Sequence, residues 1–340
     1  MTEYNYDLLV IGSGPGGQSA ALQAASLGKR VGLVERKPYL GGVSLQTGTI
    51  PSKALREAAY LASRFSSRGM LDAVQINHQQ HSGFLSEAIG RKQAVIDRHE
   101  RLLLNQLMSH GVTLLPGEAG FIDAHTLNLR NVNDEAVQLS AAMIVLATGS
   151  RPRRPADVPF DKERVLDSTS ILQMRRLPRR LTIIGGGVIA CEFATIFAPL
   201  GVAVSLVDSH DHLLAYLDKD IQQTLENDLL DMGVQLHMKT RIKQIERQGE
   251  RVLLETDSGV NLETDVVLYA LGREPNYDSL ELAAAGIDAD DHGWVRINEH
   301  HQTSRGHIYI IGDLAGRPSL ASTAMEQGRL AVNHAFDRKH

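Results

Sequence analysis

Two glycine-rich runs carry the most definite chemistry in this chain, Gly12-Ser13-Gly14-Pro15-Gly16-Gly17 and Gly185-Gly186-Gly187-Val188-Ile189-Ala190. Both follow the spacing that brings a backbone against a diphosphate. The first glycine (Gly12, Gly185) makes a tight turn, and the second (Gly14, Gly187) leaves room for the phosphates. The third position (Gly17, with Ala190 in its place in the second run) lets a helix pack closely on its strand. An acid follows each run, Glu35 after the first and Asp208 after the second. Each lies 23 positions beyond its first glycine (12 to 35, 185 to 208), near the ~20 at which a carboxylate accepts hydrogen bonds from a ribose hydroxyl. Two dinucleotide sites are expected.

Such sites need a strand, a helix and a second parallel strand, and both are flanked by sequence of that kind. Leu8 to Ile11 reads as a strand, an Ala-rich helix follows to Leu27, and Val31 to Val34 ends at Glu35. Leu181 to Ile184 repeats the pattern, with a helix to Leu200 and a strand from Val202 to Val207 ending at Asp208. The helix returns the chain to the same end of the sheet and presents its positive N-terminus to the pyrophosphate. Elsewhere, Ala54 to Ser66 and Phe84 to His110 read as helices, and Ser67 to Ser82 as a loop. Short strands are expected at Val112 to Leu115 and within Ala119 to Leu129. The apolar strands Met143 to Leu146, Asp265 to Leu271 and His307 to Ile311 precede Thr148-Gly149, Gly272-Arg273 and Gly312-Asp313, and a helix runs from about Ser319 to Phe336.

Composition removes several classes. Thirty-five Lys plus Arg against 40 Asp plus Glu give a formal charge of -5, with no basic run suited to a nucleic acid backbone. A single cysteine, Cys191, cannot form an intrachain disulfide and points to a reducing compartment, so the cytoplasm is expected. No apolar stretch approaches the ~20 residues that span a bilayer, so no membrane partner is expected. His78 with His81 and His300 with His301 form pairs without cysteines or paired carboxylates beside them, and no metal site is expected.

The whole of this pattern resembles the FAD-dependent pyridine nucleotide-disulfide oxidoreductases. The resemblance adds Gly41-Gly42, Gly48-Thr49-Ile50-Pro51-Ser52-Lys53, the Ala147-Thr148-Gly149 strand end and Gly312-Asp313 to the two glycine runs. It implies an α/β fold of two Rossmann-like domains, with the NAD(P) domain (155–276) inserted into an FAD domain made of 1–154 and 277–340. It implies an FAD site at Gly12, Gly14, Gly17, Glu35, Arg36, Gly42, Ala119, Thr148, Gly149, Gly312, Asp313 and the helix start at Ala321. The NAD(P) site it implies comprises Gly185, Gly187, Ala190, Asp208 and Arg273. Lys53 matches the family lysine beside flavin N5, and Glu192 the glutamate that pairs with it; these two are the expected catalytic residues, Lys53 also counting as a cofactor contact.

One departure is informative. Disulfide-reducing members carry two cysteines where this chain has Ser44 and Thr49. A hydroxyl forms neither a disulfide nor a thiolate, so reduction of lipoamide, glutathione or mercuric ion is excluded. Ser44 and Thr49 are expected as spacers at the flavin face. The strings Gly-Thr-Ile-Pro-Ser-Lys and Pro318-Ser319-Leu320-Ala321-Ser322 are most similar to the soluble transhydrogenase branch. That branch implies ping-pong hydride transfer from NADPH to NAD, with flavin storing two electrons between the two substrates. Asp208 favours NAD over NADP because a carboxylate repels a 2′-phosphate. His210 and His212, when protonated, offset that repulsion. Full-length relatives continue into a dimerisation domain, so this chain is expected to lack it, and a homodimer is expected for the longer form. Two alternatives stay open: an NAD(P)H diaphorase or flavin reductase, and a fragment that binds FAD and NAD without turnover.

Overall fold

The computed structural model of the chain describes residues 4–67, 78–290 and 293–337. The chain divides into two compact units, one of residues 1–46, 96–151 and 274–340, the other of residues 47–95 and 152–273.

The first unit is built on a seven-stranded sheet. Tyr6–Ile11 lies at its centre, parallel to Val31–Glu35 on one side and to the end of Ala136–Leu146 on the other, with Leu9 opposite both Gly32 and Ile144. Thr113–Pro116 extends the sheet beyond Val31–Glu35, and Ile308–Ile310 pairs in parallel with Ala136–Leu146. The central strand is apolar and buried from Leu8 to Ile11, because both its faces are covered there. Side chains alternate across a strand, so Leu8 and Val10 join Ala20, Ala21 and Ala24 of the helix Pro15–Ser26, whereas Leu9 and Ile11 join Phe121, Leu127 and Leu280.

Sequence and structure differ here in two places. The strand expected at Met143 begins at Ala136, because its first half is an antiparallel arm paired with Thr126–Arg130 and largely solvated, which hides it from a search for apolar runs. The loop expected over 67–82 is helix from His78 onward, the start of His78–Ser109, while Ser67 closes the helix Thr49–Ser67; residues 68–77 lie outside the described residues. The polar run His78-Gln79-Gln80-His81 carries no apolar period, yet glutamine is a good helix former.

The second unit holds an all-parallel five-stranded sheet in the order Gln235–His237, Ala203–Val207, Arg180–Ile184, Val266–Tyr269, Val165–Asp167. The chain adds strands outward from Arg180–Ile184 on one side and then returns to its other side, so the crevice at the carboxyl ends of these strands is the switch point where open α/β sheets bind ligands. An antiparallel sheet of Ile242–Gln248, Arg251–Thr256 and Leu262–Thr264 completes the unit. Helix Val188–Phe197 covers the parallel sheet, and Leu55 and Ala59 of the helix Thr49–Ser67 share its core with Phe193, Ala194 and Phe197.

Candidate dinucleotide sites and the Lys53–Glu192 pair

In the first glycine run each position does separate physical work. Gly12 has φ +105°, and a Cβ there would meet the Ala147 carbonyl oxygen at 2.5 Å. A Cβ on Gly17 would overlap the Gly12 carbonyl oxygen, whereas one on Gly14 would meet nothing within 4 Å. The middle glycine therefore faces open space. Gly14 is also the N-cap of the helix Pro15–Ser26, with no side-chain cap and no acid in the first turn. The N–H groups of Gly16 and Gly17 precede the helical ladder at the positive end of the helix dipole, the geometry that suits an anion.

Glu35 is intermediate in exposure and tied back to the run. One oxygen accepts from the Ser13 N–H (3.1 Å) and hydroxyl (2.6 Å), the other from the Lys37 N–H (2.9 Å). Ser13, fully buried, also accepts from the Gly41 N–H at 3.0 Å, and a Cβ on Gly42 would stand 2.9 Å from the Gly14 Cα. Ser13 thus clamps the acid, the glycine turn and Gly41-Gly42 together. Sequence reasoning passed over it because the motif leaves that position unspecified.

The other residues expected at this site fall into local networks of the first unit. Thr148 donates to the Asn276 carbonyl (2.8 Å), and Asn276 returns bonds to the carbonyls of Thr148 (2.9 Å) and Gly149 (3.0 Å). Asp313 accepts from the Ser150 hydroxyl at 2.6 Å, and the Gly312 N–H donates to Gln327. Arg36 pairs with Glu118 at 3.2 Å, next to buried Ala119. Ala321 opens the helix Ala321–Ala335, whose N-cap Leu320 supplies no side-chain bond. Gly328 was not anticipated: a Cβ there would meet the Gly16 carbonyl oxygen at 2.5 Å, so this helix and Pro15–Ser26 touch at backbone distance.

The second run repeats the design. Gly185 has φ +118°, a Cβ on Gly187 would meet nothing within 4 Å, and Gly187 caps the helix Val188–Phe197 without a side-chain bond. Ala190 is fully buried at the third position. Asp208, 6% exposed, accepts the Gly186 N–H, as Glu35 accepts that of Ser13. Its other oxygen takes the N–H and ring Nδ1 of His210 at 2.7 and 2.6 Å. His212 faces buried Glu226 at 3.3 Å. Both histidines thus have local carboxylate partners. Arg273 is half-buried at the strand Arg273–Pro275.

Lys53, 58% exposed in its side chain, pairs with Glu192, 19% exposed; the Ser52 hydroxyl donates to the same glutamate oxygen at 3.1 Å. The pair joins the first turns of Thr49–Ser67 and Val188–Phe197 within the second unit. Ser44 lies in the short helix Gly42–Gln46, and Thr49 opens its own helix. Cys191 is 6% exposed, and burial pushes its thiol up to about 11. Among the described residues no cluster of three or more His, Cys, Asp or Glu is arranged to hold a metal, and no helix is long and apolar enough to cross a membrane.

Two sheets, one mixed with a parallel core and one all-parallel, each with an open, uncapped glycine turn and an acid at the tip of the next strand, define a protein of the two-dinucleotide α/β class. Residues 6–328 match the family described as pyridine nucleotide-disulphide oxidoreductase. The chain is 39% identical over 332 residues to a soluble pyridine nucleotide transhydrogenase of Mycobacterium bovis, covering 97% of this chain and 70% of that one. It is 40% identical to the protein of the same name from Vibrio atlanticus, covering 96% and 70%. Among solved structures, LpdA from Mycobacterium tuberculosis superposes with a TM-score of 0.89 at 28% identity, covering 98% of this chain and 73% of LpdA. The HOCl-induced flavoprotein disulfide reductase RclA from Escherichia coli gives 0.85 at 27%, covering 98% and 71%. The chain belongs to the pyridine nucleotide-disulphide oxidoreductase family, whose members are FAD-dependent oxidoreductases acting on pyridine nucleotides.

Proposed function

We propose that this chain transfers hydride between NADPH and NAD through bound FAD, with residues 1–154 and 277–340 as the FAD-binding domain and 155–276 as the NAD(P)-binding domain. The observation that carries this reading is the coexistence of two dinucleotide cradles with a single cysteine buried away from solvent. A thiol relay has no residues to run on, so electrons from one nicotinamide have a second nicotinamide as their outlet.

FAD supplies the two-electron chemistry, and the protein supplies position and charge. The open Gly14 turn and the uncapped helix start fit a diphosphate. Ser13 holds Glu35 and Gly41-Gly42 in place around it. Gly185, Gly187 and Ala190 do the same for the pyridine nucleotide. Lys53 and Glu192 are the proposed catalytic residues: Glu192 and Ser52 orient the ammonium, which favours negative charge developing nearby. The compartment proposed is the cytoplasm, and a homodimer is the proposed assembly of the longer family members.

The test is an anaerobic titration of the purified protein with NADPH, following the visible flavin band, then excess NAD in the same cuvette. Bleaching followed by recovery supports both half-reactions, and reduction of thio-NAD by NADPH separates transhydrogenation from a diaphorase. A flavin band that bleaches but does not recover with NAD rules the transhydrogenase reading out.

A further inference from the structure

We propose that Arg241, assisted by Lys243, reads the 2′-phosphate that distinguishes NADP(H) from NAD(H); this rests on the hydride-transfer reading above. The difficulty it resolves is Asp208, a carboxylate at the strand tip where a 2′-phosphate would be repelled. In the structure both oxygens of Asp208 are already engaged, one by the Gly186 N–H and the other by His210. These bonds hold its carboxylate against the glycine turn and its own loop; the negative charge remains, so a 2′-phosphate beside it needs cations close by to offset the repulsion.

Those residues line a cavity of about 280 Å³ within the second unit, at the carboxyl ends of Arg180–Ile184, Ala203–Val207 and Val266–Tyr269. Asp208, Ser209, Arg241, Lys243 and Tyr269 all contribute to its wall. That volume sits at the small end of ligand pockets, as suits one end of a dinucleotide. The segment bearing the two cations is fastened to the Asp208 loop: the Lys239 N–H donates to the His210 carbonyl (2.8 Å) and the Thr240 N–H to that of Asp208 (2.9 Å). Arg241 is fixed in turn by Asp257, which accepts its N–H at 2.9 Å and donates back to its carbonyl at 3.0 Å.

The pairing of Ile242–Gln248 with Arg251–Thr256 then slips in register between Ile242 and Gln244. A bulge of this kind re-aims side chains, and it explains why consecutive residues on this segment line one cavity. Asp157 is the remaining acid in the wall. The Tyr269 phenol in the same wall is raised by burial, with Arg153 lowering it and Asp157 raising it further. A guanidinium suits a phosphate because its planar fork donates to two oxygens at once. Arg241 and Lys243 are exposed at the surface of the unit, so they remain hydrated until a phosphate enters.

The experiment compares 2′,5′-ADP with 5′-AMP as calorimetric probes of the whole chain, a readout that needs no flavin turnover. The wild-type protein is expected to hold 2′,5′-ADP at least as tightly as 5′-AMP. Arg241→Gln with Lys243→Gln should lower the ratio of the two affinities by about tenfold or more and flatten its salt dependence. Arg241→Lys, which keeps the charge but not the fork, should fall between. An unchanged ratio in the double variant overturns the assignment while leaving the transhydrogenase reading intact. A wild-type protein that binds neither probe overturns both.

Discussion

Cys191 and Lys53 show how environment sets the role of a reactive group. Cys191 follows Ala190 in the helix Val188–Phe197. Its thiol is enclosed, with Sγ 3.9 Å from the Gly186 carbonyl, and burial holds its pKa near 11, far above the usual thiol range. Thiolate is the reactive form. The native protein should therefore react with Ellman's reagent at pH 8 far more slowly than the same chain in denaturant; rapid reaction in the folded state would contradict this burial. Lys53 is the opposite case, a largely exposed ammonium whose partner, Glu192, is mostly covered. Removing the lysine leaves Glu192 with Ser52 alone, so Lys53→Ala should slow flavin reduction by NADPH, measured by stopped flow, by more than it weakens FAD retention. Equal loss of both would show that the pair is only a clasp between two helices. Glu192→Gln in the Lys53→Ala background should add little further loss if the two act as a unit.

At the scale of elements, the glycine turns separate what a residue does for folding from what it does for a ligand. Gly14 adopts φ -63°, and a Cβ there enters empty space. Gly14→Ala replaces an N-cap glycine by a poorer cap and should cost no more than about 1 kcal/mol, a drop in the thermal midpoint of a few degrees at most, yet sharply reduce FAD retention on gel filtration. Gly17→Ala forces a methyl group into the Gly12 carbonyl and should cost about 1 to 3 kcal/mol, as overpacking does, with a midpoint lowered even in FAD-depleted protein. Matching losses from the two substitutions would mean that Gly14 serves packing rather than a ligand. Much of this was legible in the sequence, because motif glycines and fully apolar strands report backbone constraint and two-sided burial directly. Ser13, Gly328 and Asn276 were not legible. Their work is done by contacts across 22 to 312 positions, such as Ser13 with Glu35 and Gly328 with Gly16, and no local period marks them. The first half of Ala136–Leu146 escaped for a related reason: a solvated antiparallel arm alternates polar and apolar residues too loosely to stand out.

At the scale of the whole molecule, acidity acts through histidines. The chain carries 14 of them against a formal charge of -5 with all histidines neutral, so protonating five cancels the charge that keeps molecules apart. Stability moves in the same direction. In the first unit the rings of His125 and His307 stack at 3.8 Å, and Tyr4 stacks on His125 at 5.0 Å. His307 donates from Nε2 to the Ala124 carbonyl at 2.7 Å and His125 from Nδ1 to that of Ala141 at 2.9 Å, which ties the turn before Thr126–Arg130 to the start of Ile308–Ile310. Burial lowers the His307 pKa, and the neighbouring His125 and Arg305 lower it further against the opposing Ala124 bond. His301 is likewise lowered by burial and by His300. A group whose folded pKa lies below its unfolded value binds fewer protons when folded, so its contribution to stability is complete above the unfolded pKa of about 6.5 and drains away as pH falls through the folded one. The thermal midpoint should therefore decline as pH drops below about 6.5, before the buried carboxylates are protonated. Asp167, raised by burial but held lower overall by the Ser170 N–H and Arg154, contributes above about 4 and loses its share only as pH falls through its lowered pKa. Differential scanning calorimetry from pH 8 to 5 reads the first of these windows. His307→Gln, which removes the titrating ring, should lower the midpoint at pH 8 yet make its decline toward pH 5 shallower; a variant that merely shifts the whole curve downward, with the same slope, would show that the stacked pair is not what senses the proton.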